Sequence, residues 1–591
     1  MKRFFTYLLF FAAVKTAQGQ FYLRGQITDD KKNPVSNARI LVYSLKSYFY
    51  SGAGNGTFGI SLKVATDSLF INAEGFEPLT ILVKSNEWQN IMLKPLENST
   101  FKTVSKLASL ANRWEHAEVN PVYENDETYF KLVENKFTST AQFPHSGYSL
   151  NVNKASYSNV RRFINQNSLV PPDAVRVEEM VNYFNLQYHP PVNNTDFNIQ
   201  TLQTTCPWKK EDELLYINIS AREIVLGKIP PGNFVFLIDV SGSMDMPNRL
   251  PLIKEAFQLF VKNLRPQDKV SIVTYGGFVE VWLPATSGVE KAKILESIES
   301  LRAEGDTPGE SAIRLAYRVA RNNFLPDGNN RIILATDGDF NVGENSEKGL
   351  DELISKQSQT GIYLTCLGVG MGNLKDSKLQ VLAKKGNGNY AYLDNSSEAE
   401  RVLVKELTRT LYAVADDASV NIDFNLELID QYRLIGFDNK REALNIANNQ
   451  LEGGEIGSGS SVLAVYQIKR KLTNKNIDQA KEDIVCKLQL KYRKVRDSSM
   501  QSQNINILND CIAFDSASNE IRLAAAISMF GMKIRQSTYK DSIPWKKIQE
   551  VAAKSVNNQN YLHRELLILM EKAKKLYPDK KIKSKKKWIF F

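Results

Sequence analysis

The sequence predicts a multidomain protein of α/β and β structure, in which a doubly wound α/β domain is flanked by β-sandwich regions and followed by a helical C-terminal part. At 591 residues the chain is long enough for several domains. Strands alternate with amphipathic helices through 232–412, which is typical of a sheet covered by helices on both faces. Shorter strands with close turn signals on either side indicate β-sandwiches.

The first 19 residues have the pattern of a secretory signal peptide. Lys2 and Arg3 form a basic start, 4–14 form an apolar stretch, and 17–19 are Ala-Gln-Gly, a small-x-small cleavage site. The apolar stretch is shorter than the roughly 20 residues that a membrane-spanning helix needs. We therefore expect an exported protein whose mature chain begins near residue 20, located in the periplasm, the cell envelope or the extracellular space.

The next two segments differ in pattern. Residues 20–96 contain short runs of alternating apolar and polar side chains separated by turns, which predicts a small β-sandwich. Residues 97–143 are polar and less patterned, which indicates a linker with one amphipathic helix near 104–114.

The predicted α/β domain, 232–412, has the most regular pattern. It begins with a buried strand over 234–238, followed by an amphipathic helix over 248–264. An apolar run over 279–283 is predicted to be an edge strand. The other predicted elements are strands over 269–275, 331–335, 362–369 and 390–393, and helices over 291–301, 311–323 and 348–360. This order predicts a Rossmann-like sheet with both faces covered.

Oxygen-bearing side chains follow three of these elements. The first strand is followed by Asp239, Ser241 and Ser243, Thr307 lies in a glycine-containing loop before a helix, and Asp337 follows another apolar strand. Open α/β sheets bind ligands at the carboxyl ends of their strands. Because carboxylate and hydroxyl oxygens suit hard divalent cations, the pattern predicts a site for Mg²⁺, with Mn²⁺ or Ca²⁺ as alternatives.

A simpler interpretation of these residues stays open. Asp and Ser are common in turns and at helix caps, so Ser243 could merely cap the following helix. The strand context, the order, and gaps of about 65 and 30 residues make the combination more specific than its parts. Asp306 and Asp339 lie nearby in sequence and either strengthen cation binding or merely face water.

On these motifs the domain resembles the von Willebrand factor A domain. The resemblance implies a metal-ion-dependent adhesion site in which Ser241, Ser243 and Thr307 contact a cation, while Asp239 and Asp337 often act through water. It also implies that one position of the cation stays open for an acidic group of a protein partner.

The segment before this domain, 144–231, is similar to one in a bacterial family of exported von Willebrand-type proteins. The similarity lies in 148–163 and 171–184. Where that family commonly has Asp-Val-Asp-Thr, this chain has Asn-Val-Asn-Lys at 151–154, so two negative charges are replaced and one positive charge is added. The simpler interpretation of this segment is a junction between a strand and a helix.

Two further regions carry family resemblances. Residues 20–96 resemble the carboxypeptidase regulatory-like domain, in a Pro-x-x-Asn-Ala-x-Ile turn and strand and in Gly-Phe-Glu-Pro at 75–78. That resemblance implies a non-catalytic sandwich. Residues 432–444 and 519–532 resemble the C-terminal domain of unknown function of the same bacterial family.

The region 413–577 is predicted to contain strands and then helices. Apolar runs within 420–490 indicate strands, as does 214–220 before the α/β domain, while 516–577 has a helical pattern. We hypothesise that strands from both flanks pair into one sandwich, with the α/β domain inserted between them. Insertion is plausible because the termini of a domain often lie close together.

The net charge of +10 is concentrated at the two ends of the chain. Residues 1–19 carry +3 and 572–591 carry +8, so the remaining body carries −1. A body near neutrality argues against a nucleic-acid-binding protein. The basic tail, 578–591, is either a solvated end or, because its lysines precede Trp588 and three further apolar residues, a weak contact with an anionic membrane surface.

The four cysteines are too few and too scattered for a disulfide scaffold. Cys366 lies in an apolar strand and is expected to be a buried thiol. Without a Cys-x-x-Cys or a paired-His spacing, the sequence does not predict a zinc site.

These observations predict a non-enzymatic, metal-ion-dependent adhesion or scaffolding protein of the bacterial cell envelope. The alternative is a hydrolase or phosphotransferase on the same sheet, but Gly-x-Ser-x-Gly and the phosphate-binding Gly-x-x-x-x-Gly-Lys-Ser are absent. No histidine lies within 232–412, so that domain cannot supply a Ser–His pair. A third possibility is a structural scaffold in which the cation only stiffens loops.

Overall fold

The computed structural model describes residues 21–95 and 127–579 apart from internal gaps. The gaps are 36–37, 46, 52–55, 63, 74–75, 86, 193–194, 225–228, 277, 306–308, 339–346, 407–411, 438–455, 472–482 and 496–498. The predicted signal peptide, the predicted helix at 104–114 and most of the basic tail lie outside the described residues. The chain divides into two compact units, 1–121 and 122–591.

The described part of the first unit consists of seven strands in two sheets. Three strands form one sheet in the order β4-β1-β7, and four form the other in the order β3-β2-β5-β6. Both contribute to one core, which includes Leu23, Ile40, Ile60 and Leu69. The predicted β-sandwich is thus confirmed. The strands are β1 (Phe21–Thr28), β2 (Arg39–Val42), β3 (Ser47–Tyr50), β4 (Thr57–Leu62), β5 (Thr66–Asn72), β6 (Leu79–Lys84) and β7 (Trp88–Met92).

The second unit contains the remaining described strands and all described α-helices. Its strands are β8 (Thr138–Ser139), β9 (His145–Ser149), β10 (Phe197–Thr205), β11 (Asp212–Ala221), β12 (Gly232–Asp239), β13 (Lys269–Gly276), β14 (Phe278–Ser287), β15 (Asn329–Thr336), β16 (Ile362–Gly368), β17 (Tyr390–Tyr392), β18 (Ala413–Phe424), β19 (Ile429–Ile435), β20 (Ile456–Gly457), β21 (Ser461–Arg470), β22 (Ile484–Lys494), β23 (Met500–Leu508) and β24 (Cys511–Ile512). Its helices are α1 (Ala155–Asn165), α2 (Val177–Tyr183), α3 (Leu250–Lys262), α4 (Lys291–Glu299), α5 (Gly309–Asn322), α6 (Glu347–Gln359), α7 (Asp376–Lys385), α8 (Ser396–Glu400), α9 (Asn519–Ile534), α10 (Trp545–Ser555) and α11 (Tyr561–Leu576).

The α/β domain is built on a six-stranded sheet in the order β14-β13-β12-β15-β16-β17. Five strands are parallel, and β14 pairs antiparallel with β13 at the edge. Helices α3 and α4 pack on one face and α5 and α7 on the other. The doubly wound prediction is confirmed, including the edge strand, but α7 was not predicted from the sequence.

Strands from both flanks of the α/β domain form the sandwich. The sheet β24-β10-β11-β21-β19-β8 joins strands that precede and follow the domain, and β11 pairs antiparallel with β21 over nine residue pairs. A second sheet, β20-β18-β22-β23 with β9 on β18, packs against it. The predicted pairing of the two flanks is therefore confirmed.

The chain enters and leaves the α/β domain at one turn of the sandwich. On the entry side, the amide of Ile224 donates to the hydroxyl of Ser458 at 2.7 Å. On the exit side, the amide of Ser458 donates to the carbonyl of Tyr412 at 2.8 Å. Because both connections meet at Ser458, the domain can be inserted without breaking the sandwich.

Strand β11 is buried on both faces and separates two cores. Leu215, Ile217 and Ile219 point into the sandwich, whereas Leu214 and Tyr216 contact the layer of helices formed by α1, α2 and α9–α11. This alternation follows from the two-residue period of a strand. The helical C-terminal part is thus a third layer.

A buried ionic cluster joins helix α1 to the α/β domain and to α11. Arg161 Nε donates to Asp394 Oδ2 at 2.8 Å, and its Nη2 lies 2.9 Å from Glu398 Oε2. Its Nη1 lies 2.9 Å from Glu565 Oε1. Only 3% of the Arg161 side chain is exposed. Since charges this deeply buried are costly to leave unpaired, the cluster ties the domain to its flanks.

The described end of the predicted linker is packed against the same unit. The amide of Thr128 donates to the carbonyl of Leu374 at 2.9 Å, and Thr138 pairs with Tyr432 across β8 and β19. Glu127 receives two hydrogen bonds from Arg162, at 2.7 and 2.8 Å. Residues 127–143, predicted as part of a linker, thus form hydrogen bonds with the rest of the unit, and some of these bonds are buried.

The altered motif at 151–154 also contacts the α/β domain. Asn153 Oδ1 accepts a hydrogen bond from the amide of Tyr390 at 3.1 Å, and Lys154 Nζ lies 3.0 Å from Glu406 Oε2. The lysine that replaces the family's threonine therefore has an acidic partner in the domain.

Two smaller expectations can be compared with the structure. Cys366 is fully buried in β16 as a free thiol, which confirms the prediction for this residue. Among the described residues, no helix has both the length and the apolar composition needed to cross a bilayer.

We expect Arg161→Met to lower the free energy of unfolding by about 3–5 kcal/mol, because it leaves buried carboxylates without their cation. Urea unfolding followed by circular dichroism measures the change. The matched control is Arg314→Met, which removes an exposed pair with Glu310 and should cost less than about 0.5 kcal/mol. Equally small effects of both substitutions would show that the cluster does not tie the domain to its flanks.

Candidate metal centre

The candidate site begins where β12 ends, in the middle of the sheet. Asp239 is the last residue of β12 and has no exposed surface. Its Oδ1 accepts a hydrogen bond from the amide of Ser241 at 2.9 Å, and its Oδ2 accepts one from the hydroxyl of Thr336 at 2.8 Å. Both donors are neutral, so the carboxylate is oriented without a salt bridge among the described residues.

The two serines line the same turn. Ser241 is buried and Ser243 is exposed, and their hydroxyl oxygens are 3.2 Å apart. Ser243 lies in the 3-10 turn Gly242–Met244, whereas α3 begins at Leu250 with Arg249 at its N-cap. The alternative in which Ser243 caps the following helix is therefore wrong.

Asp337 brings the second carboxylate to this turn from the end of β15. The hydroxyl of Ser243 donates to Asp337 Oδ2 at 2.9 Å, so residues 94 positions apart in the chain meet here. Gly338 follows with φ of +89°, and a Cβ there would lie 2.6 Å from the amide nitrogen of Lys375. The turn after Asp337 thus requires glycine.

A buried arginine and an asparagine hold Asp337 in place. Arg249 Nη1 donates to Asp337 Oδ2 at 2.8 Å, and Asn373 Nδ2 donates to the same oxygen at 2.9 Å. Arg249 Nη2 also donates to Asn373 Oδ1 at 2.8 Å, so the two side chains orient each other. Neither residue was predicted from the sequence, since neither belongs to a spaced motif.

The electrostatics of Asp239 differ from those of a paired carboxylate. Burial, and then the charge of Asp337, raise the pKa of Asp239 to about 7, although hydrogen bonds from Ser241 and Thr336 lower it. Among the described residues Asp239 forms no salt bridge, so no paired cation offsets the cost of burying its ionised form.

The fifth predicted residue, Thr307, lies outside the described residues, as do Asp306 and Asp339. The loop that leads to Thr307 can be followed as far as Gly305. The amide of Gly242 donates to the carbonyl of Gly305 at 3.0 Å, and the amide of Glu304 donates to Val240 at 2.6 Å. This loop therefore approaches the serine turn two residues before Thr307.

The described donors suit a hard cation. Asp239, Ser241, Ser243 and Asp337 converge from two strand ends and supply only oxygen atoms, which Mg²⁺ prefers and soft metals avoid. In the part of the chain that the structure describes, Asp337 pairs with Arg249 whereas Asp239 has no cationic partner, so a bound cation would stabilise the ionised form of Asp239. The described residues thus fit a divalent metal, which these four side chains would hold.

Three family models match consecutive parts of the chain. The von Willebrand factor type A domain matches 233–409, and a further von Willebrand factor model matches 123–216. A model described as the C-terminal region of the uncharacterized protein YfbK matches 409–576.

Curated relatives agree with these matches. The chain is similar to the uncharacterized protein YfbK of Escherichia coli K12, with 37% identity over 464 residues, covering 75% of this chain and 80% of that protein. A shorter similarity, 30% identity over 150 residues, connects it to bovine inter-alpha-trypsin inhibitor heavy chain H4. That match covers 24% of this chain and only 16% of the bovine protein.

Solved structures give similar matches at lower identity. A von Willebrand factor type A protein from Catenulispora acidiphila is 16% identical, with a TM-score of 0.38, covering 64% of this chain and 89% of the other. The protein BatB from Bacteroides thetaiotaomicron is 26% identical, with a TM-score of 0.25, covering 30% of this chain and 97% of the other.

The raised pKa of Asp239 predicts a pH dependence of stability in the metal-free protein. Between about pH 4 and pH 7 the folded protein keeps a proton that the unfolded chain releases, so this group makes the free energy of unfolding fall as pH rises. The expected slope is roughly 1.4 kcal/mol per pH unit within that window. Urea unfolding in chelator at several pH values measures it.

The control for this prediction is Asp239→Asn, which resembles the protonated carboxyl and cannot titrate. The difference between wild type and variant isolates the contribution of this one group from all others. Parallel pH profiles for the two proteins would contradict the assignment.

Proposed function

Since the chain belongs to the family of von Willebrand factor type A domain proteins that includes YfbK, we propose that it binds an acidic group of a partner protein through a divalent cation. In this proposal the protein is a non-enzymatic adhesion or scaffolding protein of the cell envelope. The cation is Mg²⁺, with Mn²⁺ or Ca²⁺ as alternatives, and the ligands are Asp239, Ser241, Ser243, Thr307 and Asp337.

One observation carries the proposal: two carboxylates without solvent exposure meet two serine hydroxyls, and among the described residues Arg249 pairs with Asp337 whereas no cationic side chain pairs with Asp239. A second buried carboxylate is costly in its ionised form, so Asp239 either keeps a proton or is accompanied by a cation. Ser243 is exposed, so the site opens to the solvent on the side where a partner would arrive. A cation held there has coordination positions that its protein ligands leave to water or to a partner's carboxylate.

The proposed envelope location and the proposed protein partner are supported by the sequence rather than by the geometry of the site. The signal-peptide pattern of residues 1–19 favours export. The body of the chain carries almost no net charge, which favours a protein partner over a nucleic acid. Weak contact of the basic tail with an anionic membrane surface stays a separate part of the proposal.

Calorimetric titration with Mg²⁺ tests the metal. Wild type should bind one ion, and Ser243→Ala should bind at least about tenfold more weakly, since it removes an oxygen ligand from an exposed position without disturbing the core. The matched control is Ser300→Ala, another exposed serine, whose hydroxyl donates to the carbonyl of Ser297 outside the site. Equal heats for wild type and Ser243→Ala would reject the site.

Affinity capture from an envelope extract tests the partner. Wild-type protein should retain a set of proteins in Mg²⁺ that it releases in chelator, and Ser243→Ala should not retain them. If the same proteins are retained with chelator, adhesion through the metal is wrong and the chain acts as a scaffold by other surfaces.

A further inference from the structure

Three large apolar side chains are exposed at the edge of the sheet that carries the candidate metal centre. Phe278 is 84% exposed, Met246 is 49% exposed and Met371 is 40% exposed. Met246 and Met371 lie on the loops that follow β12 and β16, and Phe278 is the first residue of β14. We call these three residues the apolar rim.

The topology places the rim on both sides of the site. The carboxyl ends of β13, β12, β15 and β16 lie at one edge of the sheet in that order, because these strands are parallel. Phe278 begins the antiparallel strand β14 and therefore starts from this same edge. Asp239 ends β12 and Asp337 follows β15, so Phe278 and Met371 lie on opposite sides of the two carboxylates.

The hairpin that carries Phe278 touches the serine loop. A Cβ on Gly276 would lie 2.6 Å from the carbonyl oxygens of Val240 and Glu304. Val240 directly follows Asp239, and Gly276 is the strand partner of Phe278. Phe278 is therefore fixed close to the turn that contains the two serines.

The two methionines are connected to the site through one arginine. The amide of Arg249 donates to the carbonyl of Met246 at 2.9 Å, and its Nη2 donates to the carbonyl of Met371 at 3.1 Å. The same guanidinium donates to Asp337 at 2.8 Å. Arg249 thus holds both methionine backbones in a fixed relation to a proposed metal ligand.

We propose that the apolar rim selects the partner: the metal-bound acidic residue is flanked on both sides by apolar side chains. This inference rests on the proposed function, since the cation supplies the charge that attracts the acid. When a partner covers exposed apolar side chains around a charged centre, their removal from water stabilises the complex. Methionine side chains adapt to apolar partners of different shapes.

The width of the rim suggests an extended partner segment. Neighbouring strands are about 4.8 Å apart, so the rim residues lie within a few strand spacings of Asp239. In an extended chain, residues two apart face the same side at about 7 Å. An acidic residue with apolar residues two positions before and after it would meet the cation and the rim together.

Two synthetic peptides immobilised on a biosensor surface test this inference. One is Gly-Leu-Gly-Glu-Gly-Phe-Gly, and the other has serine in place of the leucine and phenylalanine. In Mg²⁺, wild-type protein should bind the apolar peptide about tenfold more tightly than the serine peptide, and chelator should abolish both signals.

The variants Phe278→Ser and Met371→Gln should reduce that preference to less than about threefold without changing Mg²⁺ binding by calorimetry. The matched control is Val289→Ser. Val289 is 73% exposed and lies beyond the opposite end of β14, so its loss should leave the preference intact.

The outcomes separate the two proposals. If wild type binds Mg²⁺ but binds both peptides equally, or neither, the rim does not select the partner and the metal site stands. If both rim variants keep the preference for the apolar peptide over the serine peptide, the inference that the rim selects the partner is also wrong. If wild type binds no Mg²⁺, the proposed function fails and the inference about the rim fails with it.

Discussion

The repulsion between two buried carboxylates, Asp239 and Asp337, is the interaction on which the site depends. Each has no exposed surface, and each ends or follows a central strand of the sheet. Arg249 and Asn373 stabilise Asp337, whereas Asp239 is held by a backbone amide and a hydroxyl. Burial, and then the charge of Asp337, raise the pKa of Asp239, and a bound cation would stabilise its ionised form.

The rest of the fold holds the residues of the site in position. The parallel strands bring the loops of the site to one edge of the sheet, and the flanking regions restrict those loops further. The amide of Gly372 donates to Glu127 at 2.7 Å, next to Asn373, and Glu127 is itself bonded to Arg162. The loop that carries Asn373 is thus fixed both to the site and to the segment that precedes the domain.

The insertion of the domain into the sandwich has a related consequence. Entry and exit meet at Ser458, and the ionic cluster around Arg161 connects the domain to α1 and α11. If a partner binds at the site as proposed, a pull on that partner would load a domain that is held at two connections and by buried charges. Such an arrangement suits adhesion or scaffolding.

Much of the fold and of the candidate site could be predicted from the sequence. Strands and helices leave periodic apolar patterns, and most of the oxygen-bearing residues of the site directly follow apolar strands. Asp239, Ser241, Ser243 and Asp337 were identified on their positions after apolar strands, and the structure brings these four together. The pairing of the flanks was also predicted, since apolar runs both before and after the domain indicate strands and the termini of a domain often lie close together.

Other features leave no local pattern. Arg249 lies at the start of a helix, where an arginine is ordinarily solvated, and only the tertiary fold shows that it reaches Asp337. Asn373 lies in a loop with several glycines, and α7 after it has a weak apolar stripe. The polar segment 127–143 was predicted as a linker because its hydrogen-bond partners are far away in the sequence.

Anomalous diffraction from a crystal of the protein soaked in Mn²⁺ directly tests whether these residues bind a cation. One strong peak is expected within coordination distance of the hydroxyl oxygens of Ser241 and Ser243, close to the carboxylates of Asp239 and Asp337. A well-ordered site without a peak, or with Mn²⁺ bound only elsewhere on the chain, would contradict it.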